Sequence, residues 1–311
     1  MSWRVLLGLV ACNAIWATNP VMGKILMQEF PPLQVSWLRY SSALLAALIA
    51  LILLSLKARA YSRPTAAPRK FKAALLPWVF AMGIFTFFGS AVLQYEGLSL
   101  STSSNNALIV AMEPLFATLL AWIFLRESVR WRQGFAFVLA LVGFSLLSNL
   151  HPADLRGSLA LFNFGNLLLL LTMPLEAMYS IISRKLAGRI DPLHLFAGAL
   201  ACGFAVLTLY VAASAGLPDH LPSSPTAWLA VLWMGPLGTT ITYIFWTLAL
   251  AEASVAAVSL TLFVQPILGA LFGAIFLGDR MGGWQAFGGL LILVALVLQT
   301  LHEIKKKPLR A

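Results

Sequence analysis

The sequence predicts an all-α integral membrane protein: ten transmembrane helices arranged as two inverted five-helix repeats. Three observations predict this. First, of 311 residues 60% are hydrophobic and 10% charged, with a mean hydropathy of +0.87, whereas a water-soluble domain carries about 25% charged residues. Second, the apolar residues are gathered into stretches of the ~20 residues that a bilayer-crossing helix needs. Third, a phrase from the fourth and fifth stretches returns in the ninth and tenth. A transmembrane β-barrel is excluded, because no alternating apolar pattern with regular hairpins occurs.

The first stretch, Val5–Met27, follows Arg4 and superficially resembles a signal peptide. It contains Asn13 and Asn19 and reaches Lys24 without a small-residue cleavage pattern, so a retained helix is expected. Four more complete the first half: Pro32–Leu56, Ala73–Tyr95, Ser104–Leu125 and Trp131–Leu150. The second half reads Ser158–Ser183, Leu193–Leu217, Ala227–Ala251, Val255–Leu277 and Trp284–Leu301. Domain boundaries follow, with residues 1–150 forming one repeat and 151–311 the other.

The connections are short turns at Gln28–Pro31, Glu96–Ser103 and Glu252–Ser254. The longest, Lys57–Lys72, holds Lys57, Arg59, Arg63, Arg69, Lys70 and Lys72. With both termini cytoplasmic, these fall inside together with Arg4, Arg126, Arg130, Arg132, Arg184, Lys185, Arg189 and the basic tail. Lys24, Arg156 and Arg280 fall outside, and Arg39 lies within the second stretch. So lopsided a split fixes the orientation and requires an even number of helices. It also accounts for the net charge of +10 without nucleic acid as a partner, since the basic residues are scattered between apolar segments.

The internal repeat aligns residues 108–142 with 260–294. The phrase PLFATLLAWIFLRE, Pro114–Glu127, meets PILGALFGAIFLGD, Pro266–Asp279. Identical pairs other than leucines are Pro114/Pro266, Ile123/Ile275, Phe124/Phe276, Gln133/Gln285, Phe135/Phe287 and Val142/Val294. Each half has an odd number of helices, so the two copies must lie upside down to one another. The charges agree: the first turn after the phrase carries Arg126, Arg130 and Arg132, its twin only Asp279 and Arg280. Inverted repeats are the architecture of alternating-access transport, in which a midplane site is exposed to each side in turn.

Other functional classes find no support. Cys12 and Cys202 lie in apolar runs without metal-ligand partners, so neither a disulfide framework nor a metal site is expected. No nucleotide-binding loop, zinc-protease pair or Asp-rich motif occurs, so no cofactor and no enzymatic chemistry is expected and a gradient must drive transport. A membrane enzyme lacks a catalytic cluster, and a non-transporting helper subunit has no need of the inverted repeat.

The chain resembles the EamA family of the drug/metabolite transporter superfamily. The resemblance is carried by Trp16–Lys24, Arg39, Met112–Pro114 (MEP), Gln265–Pro266 (QP) and the FL-x-[ED] phrases ending at Glu127 and Asp279. It covers nearly the whole chain and implies a ten-helix monomer in a bacterial inner membrane. It further implies a central cavity lined by helices 1, 3, 4, 6, 8 and 9, and export of amino acids or related metabolites. Acidic residues at Glu96 and Glu176 depart from the family pattern and argue against a neutral apolar substrate.

Charged groups inside a bilayer are costly and mark function by default. Glu176, deep in the sixth stretch, is the candidate for a coupling proton or for pairing a substrate amine; a hydrogen-bonded packing group is the plainer alternative. Glu113 precedes Pro114, whose missing N–H frees a carbonyl. Gln265 before Pro266 is its repeat partner, and both prolines are candidate hinges. Asn13, Trp16 and Asn19 fall three residues apart and form a stripe that could bind substrate or join helices. Tyr179 shares the face of Glu176, and Tyr243 stands in a polar–aromatic stretch with Thr239, Thr240 and Trp246. Arg39 could clamp a carboxylate or pair structurally with an acid such as Glu29. A proton-coupled carrier of cationic compounds is the alternative reading, prompted by Glu96, Glu113 and Glu176.

Overall fold

The computed structural model describes residues 3–60, 73–125, 131–148, 163–252, 258 and 260–305, all within helices or their connections, with no strand among them. In lipid a backbone must satisfy its polar groups within the segment, and helices do so. Seven helices are long and apolar enough to cross a membrane. They are α1 (Trp3–Leu26), α2 (Pro32–Ala60), α3 (Ala73–Ser99), α4 (Ser103–Phe124), α6 (Phe164–Leu186), α7 (Pro192–Ser214) and α8 (Pro225–Glu252). The described parts of α5 (Trp131–Leu147), α9 (Val264–Leu277) and α10 (Gly283–Lys305) form shorter apolar stretches. Most of the basic loop, the turn holding Arg126, Glu127 and Arg130, the segment with Arg156, and the tail from Lys306 lie outside the described residues.

The helix starts follow from local chemistry. Thr102, Asn163, Asp191 and Ser224 each turn a side-chain oxygen onto a free backbone N–H of the following helix, and Pro192 and Pro225 open α7 and α8. Gly216, with φ +74°, ends α7 in the left-handed conformation that a side chain would oppose.

Packing pairs helices across the sequence. α5 lies along α10, α4 against α9, and α2 against α7. The remaining main contacts come in twos: α2–α8 with α7–α3, α1–α9 with α6–α4, and α1–α8 with α6–α3. Exchanging helices 1–5 for 6–10 maps each contact onto its counterpart. The backbone repeats the pattern, with both α3 (Gly83–Ser90) and α8 (Trp233–Ile241) widening into a π-helical stretch. Such single bulges concentrate at functional sites.

The expected bends at Pro114 and Pro266 take the form of interruptions rather than mid-helix kinks. α4 breaks at Ala111–Met112, where tight three-residue bonds run from Ala111 N to Leu108 O and Met112 N to Ile109 O. The helix resumes at Glu113, which places Pro114 in its first turn, where no intrahelical N–H bond is lost. In the second half a 3₁₀ turn, Leu260–Phe263, precedes α9, and Pro266 again falls in the first turn.

Candidate functional site

A cavity of about 80 Å³ lies among α1, α2, α3, α4, α6, α8 and α9. At the ~10–15 Å³ that one water requires, it has room for a ligand the size of a small metabolite. Trp16, Asn19, Glu113, Glu176, Tyr179, Tyr243 and Gln265 all line it. Asn13 does not. It is fully buried behind the wall, donating from Nδ2 to Leu9 O at 2.8 Å and to Thr261 Oγ1 at 2.9 Å. Its Oδ1 accepts from Gln265 Nε2 at 2.7 Å, so Asn13 joins α1 to α9 and fixes the Gln265 amide.

One wall is cationic. Arg39, 5% exposed, donates from Nε to Thr239 Oγ1 at 2.9 Å and from Nη1 to Gln94 Oε1 at 3.5 Å and Tyr95 Oη at 3.4 Å. Its guanidinium carbon stands 5.1 Å from the Tyr40 ring centroid. Thr239 is held in turn by donating to Met234 O at 2.8 Å, a bond made within the widened stretch of α8. These Arg39 partners are all neutral and Arg39 lines the cavity, the arrangement of a group that can receive a carboxylate. The sequence suggestion of Glu29 as its partner is not met. Glu29 instead accepts from Ser223 N at 2.8 Å and Ser224 Oγ at 2.5 Å, at the start of α8. Those donors hold its carboxyl below the ordinary value, the Ser224 hydroxyl contributing most.

Acidic groups line the same cavity. Glu176 Oε1 accepts from Ser90 Oγ at 2.5 Å, and Oε2 from Tyr243 Oη at 2.9 Å. Glu113 projects from the restart of α4 into the same space and accepts no hydrogen bond among the described residues. Aromatic rings complete the lining. The Trp16 ring is 5.4 Å from Tyr243 and 5.2 Å from Trp246, while Tyr179 meets Tyr243 edge-on at 4.8 Å. The polar ends of these rings are satisfied by Gly238 O, Ser180 Oγ and Thr247 Oγ1 respectively for Trp16, Trp246 and Tyr179.

Sequence reasoning missed Gln94, Tyr95, Asn106 and Ser90, and left Arg39 between a carboxylate clamp and a structural pair. A polar residue within an apolar run was the available signal for Ser90, Gln94 and Asn106. Glu96, which prompted the cationic alternative together with Glu113 and Glu176, is not part of the cavity lining. Lys24 donates to Ser99 O at 3.4 Å. Gly269 and Gly273, the small-residue pair of α9, pack on Ala107 and Ser104 of α4. Among the described residues no group of His, Cys, Asp and Glu could hold a metal ion.

An all-helical fold with this apolar patterning is that of a multi-pass membrane protein. The chain belongs to the EamA-like transporter family, whose sequence model matches residues 3–149 and 163–301. It is similar to the uncharacterized transporter YoaV of Bacillus subtilis, with 23% identity over 98% of this chain and 99% of the relative. An uncharacterized transporter of Archaeoglobus fulgidus is 22% identical over 93% and 94% of the two chains. A protein of Streptantibioticus cattleyicolor named "Probable terminal-alkyne amino-acid exporter" is 23% identical over 74% of this chain and 75% of its own. A solved structure titled only as the crystal structure of a protein shares the fold, with TM-score 0.65 and 19% identity over 97% of this chain and 99% of the other.

Proposed function

We propose that the chain is a secondary active carrier, an exporter of amino acids or related small metabolites working by alternating access. The observation that carries this reading is the cavity itself, whose lining brings Arg39 together with Glu176 and Glu113. A zwitterion of amino-acid size matches that polarity, its carboxylate on Arg39 and its ammonium toward the acids. The exporter name of the relative from Streptantibioticus cattleyicolor supports the same substrate class.

In this reading α5, α9 and α10 also cross the bilayer, giving ten spans in two inverted repeats, residues 1–150 and 151–311. The exchange symmetry of the helix contacts, the paired π-helical stretches and the paired interruptions before Pro114 and Pro266 support it. The interruptions serve as hinges. Trp16, Asn19, Glu113, Glu176, Tyr179, Tyr243 and Gln265 contact the substrate, with Asn13 positioning Gln265. The carrier works as a monomer in a bacterial inner membrane with both termini cytoplasmic.

A thermal-shift screen of the purified protein against the proteinogenic amino acids and their amines tests the substrate class. Uptake of the stabilising compounds into proteoliposomes tests transport. Stabilisation by amines lacking a carboxylate, and by no amino acid, would favour the second reading, a proton-coupled carrier of cationic compounds. The excess of carboxyls over guanidinium in the cavity is the observation behind that alternative.

A further inference from the structure

We infer that Glu113, and not Glu176, holds the exchangeable proton of the cavity. Its meaning for transport rests on the carrier reading above, while the assignment itself rests on geometry. Glu176 has both carboxylate oxygens engaged by hydroxyl donors, Ser90 at 2.5 Å and Tyr243 at 2.9 Å. An ionised carboxylate only accepts hydrogen bonds, and two donors aimed at its two oxygens favour that form. Arg39 lines the same cavity and supplies the opposite charge.

Glu113 is placed otherwise. It enters the same cavity from the first turn after the α4 interruption, accepts no hydrogen bond, and has no Lys or Arg within ion-pair distance among the described residues. The titratable and charged groups facing it are Glu176 from α6, Arg39 from α2, and the phenols Tyr95 of α3, Tyr179 of α6 and Tyr243 of α8. From α1 and α9 come only the uncharged Asn19, Trp16 and Gln265. Glu176 repels a second negative charge, and Arg39 is balanced by Glu176. A carboxylate at Glu113 therefore stands as the excess charge of a low-dielectric site, where an unpaired ion is costly. It is neutral, as the acid, when the cavity is empty. When a cationic group of the substrate occupies the space before it, the proton passes to water in the cavity and the carboxylate pairs that cation. Proton and substrate amine thus compete for one group.

The proton can be read without any substrate. Infrared difference titration of the purified full chain, from mildly acidic to mildly alkaline pH, records the C=O stretch of protonated carboxyls. The wild type should lose such a band as pH rises and Glu113→Gln should lack it, while Glu176→Gln, which removes the repelling charge, should lose it at lower pH. Glu113→Asp, which retains the acid should the glutamine variant fail to fold, should show the band at a shifted frequency. A band that persists unchanged in Glu113→Gln or Glu113→Asp overturns the assignment. Because the measurement involves no transport, a protein that titrates as stated but moves no metabolite refutes the carrier reading alone.

Discussion

Gly83 and Gly235 occupy matching positions in the two halves, each at the closest approach of two helices. A methyl group on Gly83 would run into the carbonyl oxygen of Ala199 and lie 2.9 Å from Gly203 N on α7. On Gly235 it would run into Ser42 Oγ and lie 2.8 Å from the Arg39 carbonyl oxygen on α2. In lipid, helices associate through close packing of small residues rather than through the hydrophobic effect. Because the obstacles include main-chain atoms, a side chain cannot be accommodated by a rotamer change.

Gly83→Ala and Gly235→Ala should therefore each lower stability by about 1–3 kcal/mol, the usual range for overpacking a tight site. Gly134→Ala on α5, where nothing lies within 4 Å of the added methyl, should not. Thermal unfolding in detergent checks all three. Equal midpoints for the three variants would contradict the packing account.

Arg39→Lys should weaken binding of a carboxylate-bearing substrate while leaving the fold intact. Lysine keeps the charge but cannot donate at once to Thr239 and present a forked pair to a ligand. Loss of a hydrogen bond to a charged group costs about 1.5–3 kcal/mol, which is roughly a 10- to 150-fold weaker Kd. Quenching of the cavity tryptophans, Trp16 and Trp246, by the compounds that stabilise the protein is a direct readout. The corresponding amines without a carboxylate should bind both proteins alike.

The fold was more legible than the site. A bilayer forces its helices to announce themselves as long apolar runs, and the repeated phrase around Pro114 and Pro266 gave the correspondence of α4 with α9. Glu176, Tyr179, Tyr243 and Trp16 were readable because polar or aromatic groups deep in such runs stand out. Arg39 was not assigned because its role depends on Gln94 and Thr239, which lie 55 and 200 residues away along the chain. Asn13 was read as a possible ligand contact because its three partners on α1, the turn before α9 and α9 itself become visible only on assembly. Asn166 gave no signal at all.

Asn166→Ala should destabilise the protein without altering the cavity. Fully buried at the start of α6, its Oδ1 accepts from Ser101 at 2.5 Å and Asn105 at 3.4 Å, and its Nδ2 donates to Ser148 at 3.2 Å and Leu147 O at 3.4 Å. Alanine leaves several buried groups of α4 and α5 unpaired, at about 1–3 kcal/mol for each unsatisfied group. The unfolding midpoint should fall clearly, while ligand affinity measured below that midpoint stays at the wild-type value. A changed affinity would place Asn166 in the binding machinery instead.

Glu29→Gln should remove part of the acid sensitivity of the fold. The Ser224 and Ser223 donors depress the Glu29 carboxyl below its ordinary value of 4.5 in the folded chain. A depressed carboxylate stabilises the fold at pH above its unfolded value, and that contribution is lost as pH falls through the folded value. Stability of the wild type should thus decline below the ordinary carboxylate range more steeply than that of the variant. Unfolding midpoints measured for both across that range check the sign. Parallel curves would mean that the solvent-exposed pairing contributes nothing measurable.

Arg39 and Glu176 should behave as an energetically coupled pair although no hydrogen bond joins them. Each is anchored by neutral groups, Arg39 by Thr239, Gln94 and Tyr95, Glu176 by Ser90 and Tyr243. Within the membrane interior, Arg39→Gln leaves the Glu176 charge uncompensated, and Glu176→Gln does the same to Arg39. Breaking a buried charge pair from one side destabilises by about 3–5 kcal/mol, much of it the penalty of the charge left behind. Removing both charges should therefore be far milder than the sum of the two changes, with an interaction energy of about 0.5–3 kcal/mol in a double-mutant cycle. Unfolding of the wild type, both single variants and the double variant in one detergent supplies the four numbers. Strict additivity would show that each group is neutralised locally, and the cavity would then present two independent charges to its ligand rather than one balanced pair beside Glu113.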